Sequence, residues 1–302
     1  MTTTPRSPEQ PARPEAVRAL WRLIEAYHAL VYYAPERPGV YGALGLKGGW
    51  MGYFATRSAA VGTPPADVVT ACFYGFAPRM VERALPDAWT LTTPSAALAA
   101  RLEVFDKALR RLLGDPLPDT EAGDLGGRLG GIVDSLPSAG APLFAAHRAS
   151  PRPDAPHLYL FWATTALREY RGDAHVAALR AASVDPVESN ALMTALGLVP
   201  GDQRRYRGWT ETEWADAADR LRARGWLDGD GHVTPLGHQG RAAIEDLTDT
   251  MTARAWDELS DAEVGAAGSD LVSVAGPIIT AGAVPYPNGM GMAPVAELTV
   301  AG

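Results

Sequence analysis

The sequence predicts a mainly α-helical protein, a helical bundle that contains one winged helix-turn-helix. Apolar residues recur at spacings of three and four in several segments, which is the period of an amphipathic helix. A capping box opens one of these segments, because Thr210 is followed three positions later by Glu213. A tight turn at 228–231, a short strand at 232–234 and a new helix start come next. This order of elements is typical of a winged helix, which we place near 186–248.

Further helices are predicted on both sides of this module. Each is bounded by Pro, Gly or an Asp cap. Gly172 is expected to break one of them, and Asp173 is expected to cap a new helix that carries His175 in its first turn. The first expected helix begins at Pro14 and ends before Pro35. The other expected helices lie at 50–60, from 67 to about 74, after Pro78, at 94–113 and at 156–171.

Composition along the chain predicts five regions. The first is a Thr/Pro-rich disordered tail, and the third is a Gly/Asp/Pro-rich linker around a short helix. The last region is apolar enough to cover a groove or an oligomer interface, although Gly276-Pro277 argues against an uninterrupted helix there. The regions are the tail at 1–13, an N-terminal helical unit at 14–115, the linker at 116–150, a helical plus winged-helix unit at 151–256 and the covering segment at 257–302.

Two histidines stand in similar settings, which suggests an internal duplication. His28 and His175 are each followed by Ala six positions later and by Val twelve positions later. Each copy then reaches the string Ala-Leu-Gly-Leu, at 43–46 and at 195–198, after a five-residue insertion in the second copy. A diverged second winged helix would then lie near 40–90. The matches are short and rich in Ala and Leu, so chance similarity stays open.

The charge and cysteine content narrow the class of protein. The formal net charge of -8 disfavours general attraction to nucleic acid or to an anionic membrane. A single cysteine, Cys72, excludes an intrachain disulfide and fits a reducing cytosol. We find no apolar run long enough to span a membrane and no signal peptide, so we expect a cytoplasmic protein.

Four strings carry a resemblance to a known family. They are YHALVYYAPE, GGWMGYFATRSAAVG, LREYRGDAHVAAL and RGWTETEWADAADRLRARGWLD. The chain resembles a family of roughly 300-residue actinobacterial proteins that carry a winged helix-turn-helix, and the segment 210–248 resembles MarR-type winged helices. The resemblance implies a fold, and it implies regulation of transcription only by analogy of fold.

The residues of the winged helix argue against DNA binding. The first turns of its recognition helix would face base edges and phosphates. Those turns carry Glu211, Glu213, Asp216 and Asp219, and the tip of the wing carries two further aspartates. Because these carboxylates would repel phosphate, we expect the module to serve packing or dimerisation, with DNA binding not excluded.

His28 and His175 are the candidate catalytic or metal-binding residues. His28 lies on an apolar helix stripe, and the helix start at His175 would keep that ring neutral. Neutral imidazole can bind haem or a metal ion, or act as a general base. The alternatives are a hydrogen-bonded core histidine at His28 and a salt-bridged helix junction at His175. The other four histidines, at 147, 157, 232 and 238, are expected to be surface or loop residues. Cys72 is expected to be an inert thiol in the core.

Aromatic and basic residues near these histidines could line a ligand pocket. Trp50, Tyr53 and Phe54 share a helix face with Arg57, an arrangement that is more often simply core. An arginine pair beside a helix start could hold a carboxylate or a phosphate. The candidate ligand-binding residues are Tyr32, Trp50, Tyr53, Phe54, Arg57, Phe73, Arg168 and Arg171.

The leading hypothesis is a protein that holds a small molecule or a haem-like or metal cofactor in one cavity formed around both histidines. Whether it is an enzyme, for example of specialised metabolism, stays open. The first alternative is a ligand-responsive winged-helix regulator, and the second is a structural or scaffold protein. A homodimer is compatible with each of them.

Overall fold

The computed structural model describes residues 13–114, 117, 119–292 and 294, and these residues are predominantly helical, as predicted. The predicted tail lies outside this part of the chain except for its last residue, Arg13. In order, the helices are α1 (Arg13–Tyr33), α2 (Arg37–Ala43), α3 (Gly48–Ser58), α4 (Ala66–Cys72), α5 (Pro78–Ala84), α6 (Asp87–Leu91), α7 (Pro94–Leu113), α8 (Asp119–Ser135), α9 (Pro142–Ala149), α10 (Pro156–Ala181), α11 (Pro186–Ala195), α12 (Gln203–Tyr206), α13 (Glu211–Ala223), α14 (Pro235–Thr252) and α15 (Asp261–Thr280).

Helix α10 is the central element of the bundle. It is 26 residues long and packs against α1, α7, α8, α9 and α14. The expected break at Gly172 is wrong, because the helix continues through this residue to Ala181. A single internal glycine costs a helix only ~1 kcal/mol relative to alanine, and burial on several sides outweighs that cost. His175 therefore lies within a helix and not at its start.

The region interpreted as a linker, 116–150, contains two helices, α8 and α9, which both pack against α10. Its glycines permit close helix contact. A Cβ atom at Gly130 would lie 2.3 Å from the hydroxyl oxygen of Tyr159, and one at Gly126 would lie 3.1 Å from the same ring. The glycines that suggested a loop thus form a groove that receives a tyrosine. The five-region division itself stays a prediction.

The winged helix-turn-helix lies where the sequence placed it. Helices α11, α12 and α13 precede the wing, and α14 follows it. Capping boxes at Asp185 and Thr210 start α11 and α13. The predicted short strand is reduced to one antiparallel bridge between Leu227 and Val233, closed by a turn in which the Asp228 carboxylate accepts two backbone N–H groups.

The two Ala-Leu-Gly-Leu strings adopt the same local structure. Both end a helix with a glycine at positive φ, 80° at Gly45 and 70° at Gly197. In each, the final leucine, Leu46 or Leu198, donates its backbone N–H to the carbonyl five residues earlier. This is the pattern of a glycine C-cap. The same string is therefore explained at both places by the need to end a helix with a glycine C-cap. The internal duplication stays a prediction.

The apolar end of the chain forms α15, which packs against α1 and α8. The expected interruption at Gly276-Pro277 is wrong, because α15 continues to Thr280. Pro277 lies in the last turn, where the loss of one backbone hydrogen bond is tolerated. Within the described residues, no helix combines the length and the apolarity that crossing a membrane requires.

Candidate functional site

The structure separates the two histidines that were expected to share a cavity. His28 on α1 contacts Thr165, whereas His175 contacts Thr248 on α14. Thr165 and His175 lie ten positions apart on α10, which corresponds to roughly 15 Å along the helix axis. The expected convergence is therefore wrong, and the two rings do not form one ligand set.

His28 is fully buried, and both of its ring nitrogens are hydrogen-bonded. Nδ1 lies 3.0 Å from the Thr165 hydroxyl, and Nε2 lies 3.0 Å from the Tyr32 hydroxyl. Thr165 donates its own proton to the carbonyl of Phe161. The Thr165 oxygen must then accept from Nδ1–H, so Nε2 accepts from Tyr32. Arg101 completes this His28 network by donating to the Tyr32 hydroxyl at 3.0 Å.

The environment of His28 keeps the ring neutral but leaves it no free lone pair. Burial, with a further contribution from the Arg101 charge, holds the pKa of His28 well below its ordinary value. Neutrality was expected from the sequence. However, the only unprotonated nitrogen, Nε2, is committed to Tyr32. The ring thus has no position open for haem iron or a metal ion, and it acts as a positioning residue for Tyr32.

A buried ion cluster lies beside the His28 network. Glu169 is fully buried and accepts two hydrogen bonds from Arg57, at 3.1 and 3.0 Å, and one from Arg168 at 3.0 Å. Burial alone would raise the pKa of Glu169, but the two guanidinium groups hold it well below its ordinary value. Arg168 also pairs with Glu25 at 3.1 Å, and Arg57 stacks over the Phe73 ring. These two arginines are neutralised by the protein's own carboxylates.

The predicted aromatic residues come together, but they pack against each other. Trp50, Tyr53, Phe54, Phe73 and Phe76 form one cluster, with ring centroids of neighbouring members 5.0–6.1 Å apart. Most of their contacts are edge-to-face or tilted, which is the preferred arrangement of packed rings. The structure thus gives this stripe the role of core, which was the alternative to a ligand wall.

The second group of predicted residues faces α14. Arg171 pairs with Glu245 at 3.0 Å and with Asp249 at 2.7 Å. His175 contacts Thr248, and burial lowers the pKa of His175 to about 4, although its side chain is 31% exposed. Since α10 does not begin here, no helix N-terminus supplies an anion seat. The structure supports the alternative of a salt-bridged helix junction.

A cavity of about 310 Å³ opens between α7, α9 and α10, next to the His28 network. We call it the α7–α9–α10 cavity. Arg101 and Thr165 belong both to the network and to the lining. The other lining residues are largely apolar and include proline, leucine and aromatic side chains. The lining consists of Ser95, Leu98, Ala99, Arg101, Leu102, His147, Ser150, Pro151, Pro153, Phe161, Trp162 and Thr165.

Two buried polar atoms at this cavity have no hydrogen-bond partner. They are Nε of Arg101 and Nε2 of His147, and each of these residues is 3% exposed. Burial lowers the pKa of His147 to about 4, so the imidazole is neutral at pH 7. Within the described residues, no carboxylate lies within ion-pair distance of Arg101. Buried polar groups are usually paired, and among the buried polar atoms for which the described chain shows no hydrogen bond, these two belong to residues that line the cavity.

Sequence reasoning missed both residues. His147 and His157 were expected at the surface, but both are buried, whereas His232 and His238 are exposed as expected. A signal for Arg101 was present, because it stands in the apolar stripe of α7. A charged residue in such a stripe is exceptional, since charged side chains are almost never fully buried unless paired.

A comparison with known families covers most of the chain. A family model described as a helix-turn-helix family matches residues 17–285. The chain belongs to this helix-turn-helix family. No curated protein and no solved structure matches it. The resemblance deduced from the four sequence strings is thereby confirmed at the level of the fold, whereas the actinobacterial source stays a prediction.

The recognition helix of this helix-turn-helix protein, α13, presents an acidic surface. Glu213 pairs with Arg79 and Glu211 pairs with Arg204, so arginines near this surface are engaged by carboxylates. The hydrogen bonds from Arg79 lower the pKa of Glu213 to about 2. The Asp228 carboxylate stabilises the turn of the wing, and the backbone N–H groups that it accepts lower its pKa. Asp219 also pairs with Arg222, so the carboxylates of α13 engage arginines that could otherwise contact phosphate.

Proposed function

We propose that this helix-turn-helix protein binds a small organic molecule in the α7–α9–α10 cavity. The observation that carries the proposal is the pair of buried, unpartnered atoms, Arg101 Nε and His147 Nε2, beside a cavity of about 310 Å³. Ligand pockets have volumes of roughly 300–1,000 Å³ and combine apolar walls with a few polar groups. This cavity has that composition, and its volume favours a small ligand.

A packing defect is a poorer explanation of the same observations. Cavities that stay empty in proteins are lined by apolar groups, whereas polar cavities hold water or a ligand. Here a guanidinium and an imidazole both line the space. The position of the Arg101 guanidinium is fixed by packing, because it lies over the rings of Tyr32 and Phe161. The site is thus preorganised, which lowers the entropic cost of binding.

The proposal is tested by filling the cavity. Leu98 lines the space, and Leu98→Trp would occupy it, whereas Val68 is exposed and lies outside it. Neutral one- to three-ring aromatic compounds are screened by ligand-observed NMR against the wild type, Leu98→Trp and the matched control Val68→Trp. We expect hits that are retained by the control and lost in Leu98→Trp, with circular dichroism confirming that both variants fold. Hits retained equally by all three proteins would refute the proposal.

A second candidate function is a ligand-responsive DNA-binding regulator, which membership of a helix-turn-helix family favours. The acidic face of α13 argues against it. Fluorescence anisotropy at low salt with DNA from upstream of the protein's own gene tests this candidate. Binding at micromolar or lower protein concentration that falls with salt would support it. Anisotropy that stays unchanged throughout that range would exclude this DNA as its target.

A further inference from the structure

We infer that the α7–α9–α10 cavity takes an organic anion, a carboxylate on an apolar ring system, with Arg101 as its counter-ion. This inference rests on the proposed function and specifies the chemical class of the ligand. It starts from the charges of the bundle interior. In the bundle interior, Arg57 and Arg168 are matched by Glu169 and Glu25, and Arg207 donates to the backbone carbonyl of Gly289 and lies over the Phe76 ring. Within the described chain, Arg101 is left with a positive charge that no carboxylate balances.

The partners that Arg101 has are all neutral. Its Nη2 atom donates to the Tyr32 hydroxyl at 3.0 Å and lies 3.4 Å from His28 Nε2. The centroids of the Tyr32 and Phe161 rings lie 4.9 and 5.7 Å from its central carbon. Ring contacts of this kind stabilise a cation only partially. A buried charge normally requires a counter-charge with hydrogen bonds, because its desolvation is costly.

The unpartnered atoms suit a carboxylate. Arginine recognises carboxylates through parallel N–H groups, and the Nε–H of Arg101 is still available for this. His147 is neutral and lines the cavity, and in the tautomer with a proton on Nε2 that N–H is a second donor without a partner. A monoanion would neutralise the single charge of Arg101. A phosphate dianion would bring a second negative charge that nothing in the lining balances.

The remaining walls define the rest of the ligand. Leu98, Leu102 and Trp162 line the cavity together with Pro151 and Pro153. None of these side chains can form an ion pair, and the Trp162 N–H is already donated to the carbonyl of His147. Apolar surface of this kind favours an aromatic or alicyclic body. The cavity therefore combines one cationic end with an apolar chamber.

The test compares two compounds of nearly the same shape, 2-naphthoate and neutral 2-naphthamide, by isothermal titration calorimetry at pH 7. Hydrogen bonds to charged groups are the stronger ones, so we expect wild type to bind the carboxylate roughly ten-fold or more tightly than the amide. In Arg101→Gln this preference should fall to about three-fold or less, while naphthamide still binds and shows that the cavity is intact. Arg152→Gln is the matched control, since Arg152 lies over the Trp162 ring but pairs with Asp134 and is exposed. It should keep the preference of the wild type.

The outcomes separate the two proposals. If the wild type binds the amide as tightly as the carboxylate, the inference fails and the proposed function stands. If it binds neither compound, the inference fails, and the screen against Leu98→Trp decides the proposed function. Should Arg101→Gln not fold, the ratio of the two affinities in wild type decides. A second measurement, ¹³C NMR of carboxyl-labelled naphthoate bound to wild type and to His147→Gln, should show different carboxyl shifts in the two proteins. Identical shifts would show that the carboxylate does not contact His147 and would overturn the two-donor arrangement.

Discussion

Replacing Glu169 by glutamine should strongly destabilise the fold. The substitution keeps the shape of the side chain but removes the carboxylate that accepts three hydrogen bonds from Arg57 and Arg168. Breaking a buried ion pair from one side costs about 3–5 kcal/mol, because the remaining charge is left uncompensated. Arg168 retains Glu25, so we expect a loss of about 4 kcal/mol, a large fraction of a typical free energy of unfolding.

The assay is urea denaturation followed by circular dichroism and tryptophan fluorescence. The matched control is Glu211→Gln, since the Glu211 side chain is 84% exposed and forms a single pair with Arg204. It should lose about 1 kcal/mol or less. The double variant Arg57→Met, Glu169→Leu removes both members of the pair and should recover part of the loss, because no unpaired partner of that pair remains. An effect of Glu169→Gln as small as that of the control would refute the reasoning.

Two further predictions concern pH and the winged helix. The pKa of His147 is about 4 in the folded protein and 6.5 at its ordinary value, so the unfolded chain takes up a proton first as the pH falls. Protonation of His147 in the unfolded chain should thus lower the free energy of unfolding by ~2 kcal/mol between pH 8 and pH 5. Urea titrations of His147→Gln should show no such loss, and equal pH dependence in both proteins would contradict this prediction. Gly237→Ala would place a Cβ 2.3 Å from the backbone oxygen of Trp226, whereas Gly229 has open space around it. We expect Gly237→Ala to lower the melting temperature and Gly229→Ala to leave it nearly unchanged; equal melting temperatures for the two variants would contradict the predicted clash.

The parts of the fold that the sequence predicted correctly depend on local chemistry. The capping box at Thr210, the turn at 228–231 and the start of α14 need only neighbouring residues, so the winged helix could be located from the sequence. The buried position of His28 followed in the same way from the helical spacing of apolar residues around it. For these elements, local preference and tertiary structure agree.

The parts that the sequence predicted wrongly depend on distant partners. Gly172 and the glycines at 126–131 suggested breaks, but packing against long helices holds both segments helical. The cavity itself brings together residues from α7, α9 and α10, and their spacing along the chain carries no sign of this. Arg101 could have been identified as a charge on an apolar stripe, whereas the unpartnered nitrogen of His147 becomes visible only in three dimensions.

The continuity of α10 has a mechanical consequence. This one helix carries Thr165, which lines the cavity, and Arg171, which pairs with α14, the last helix of the winged module. A hinge at Gly172 would have absorbed any displacement of the cavity end. Because α10 has no break at Gly172, we expect a tilt of this helix at Thr165 to shift the Arg171 contacts with α14 as well.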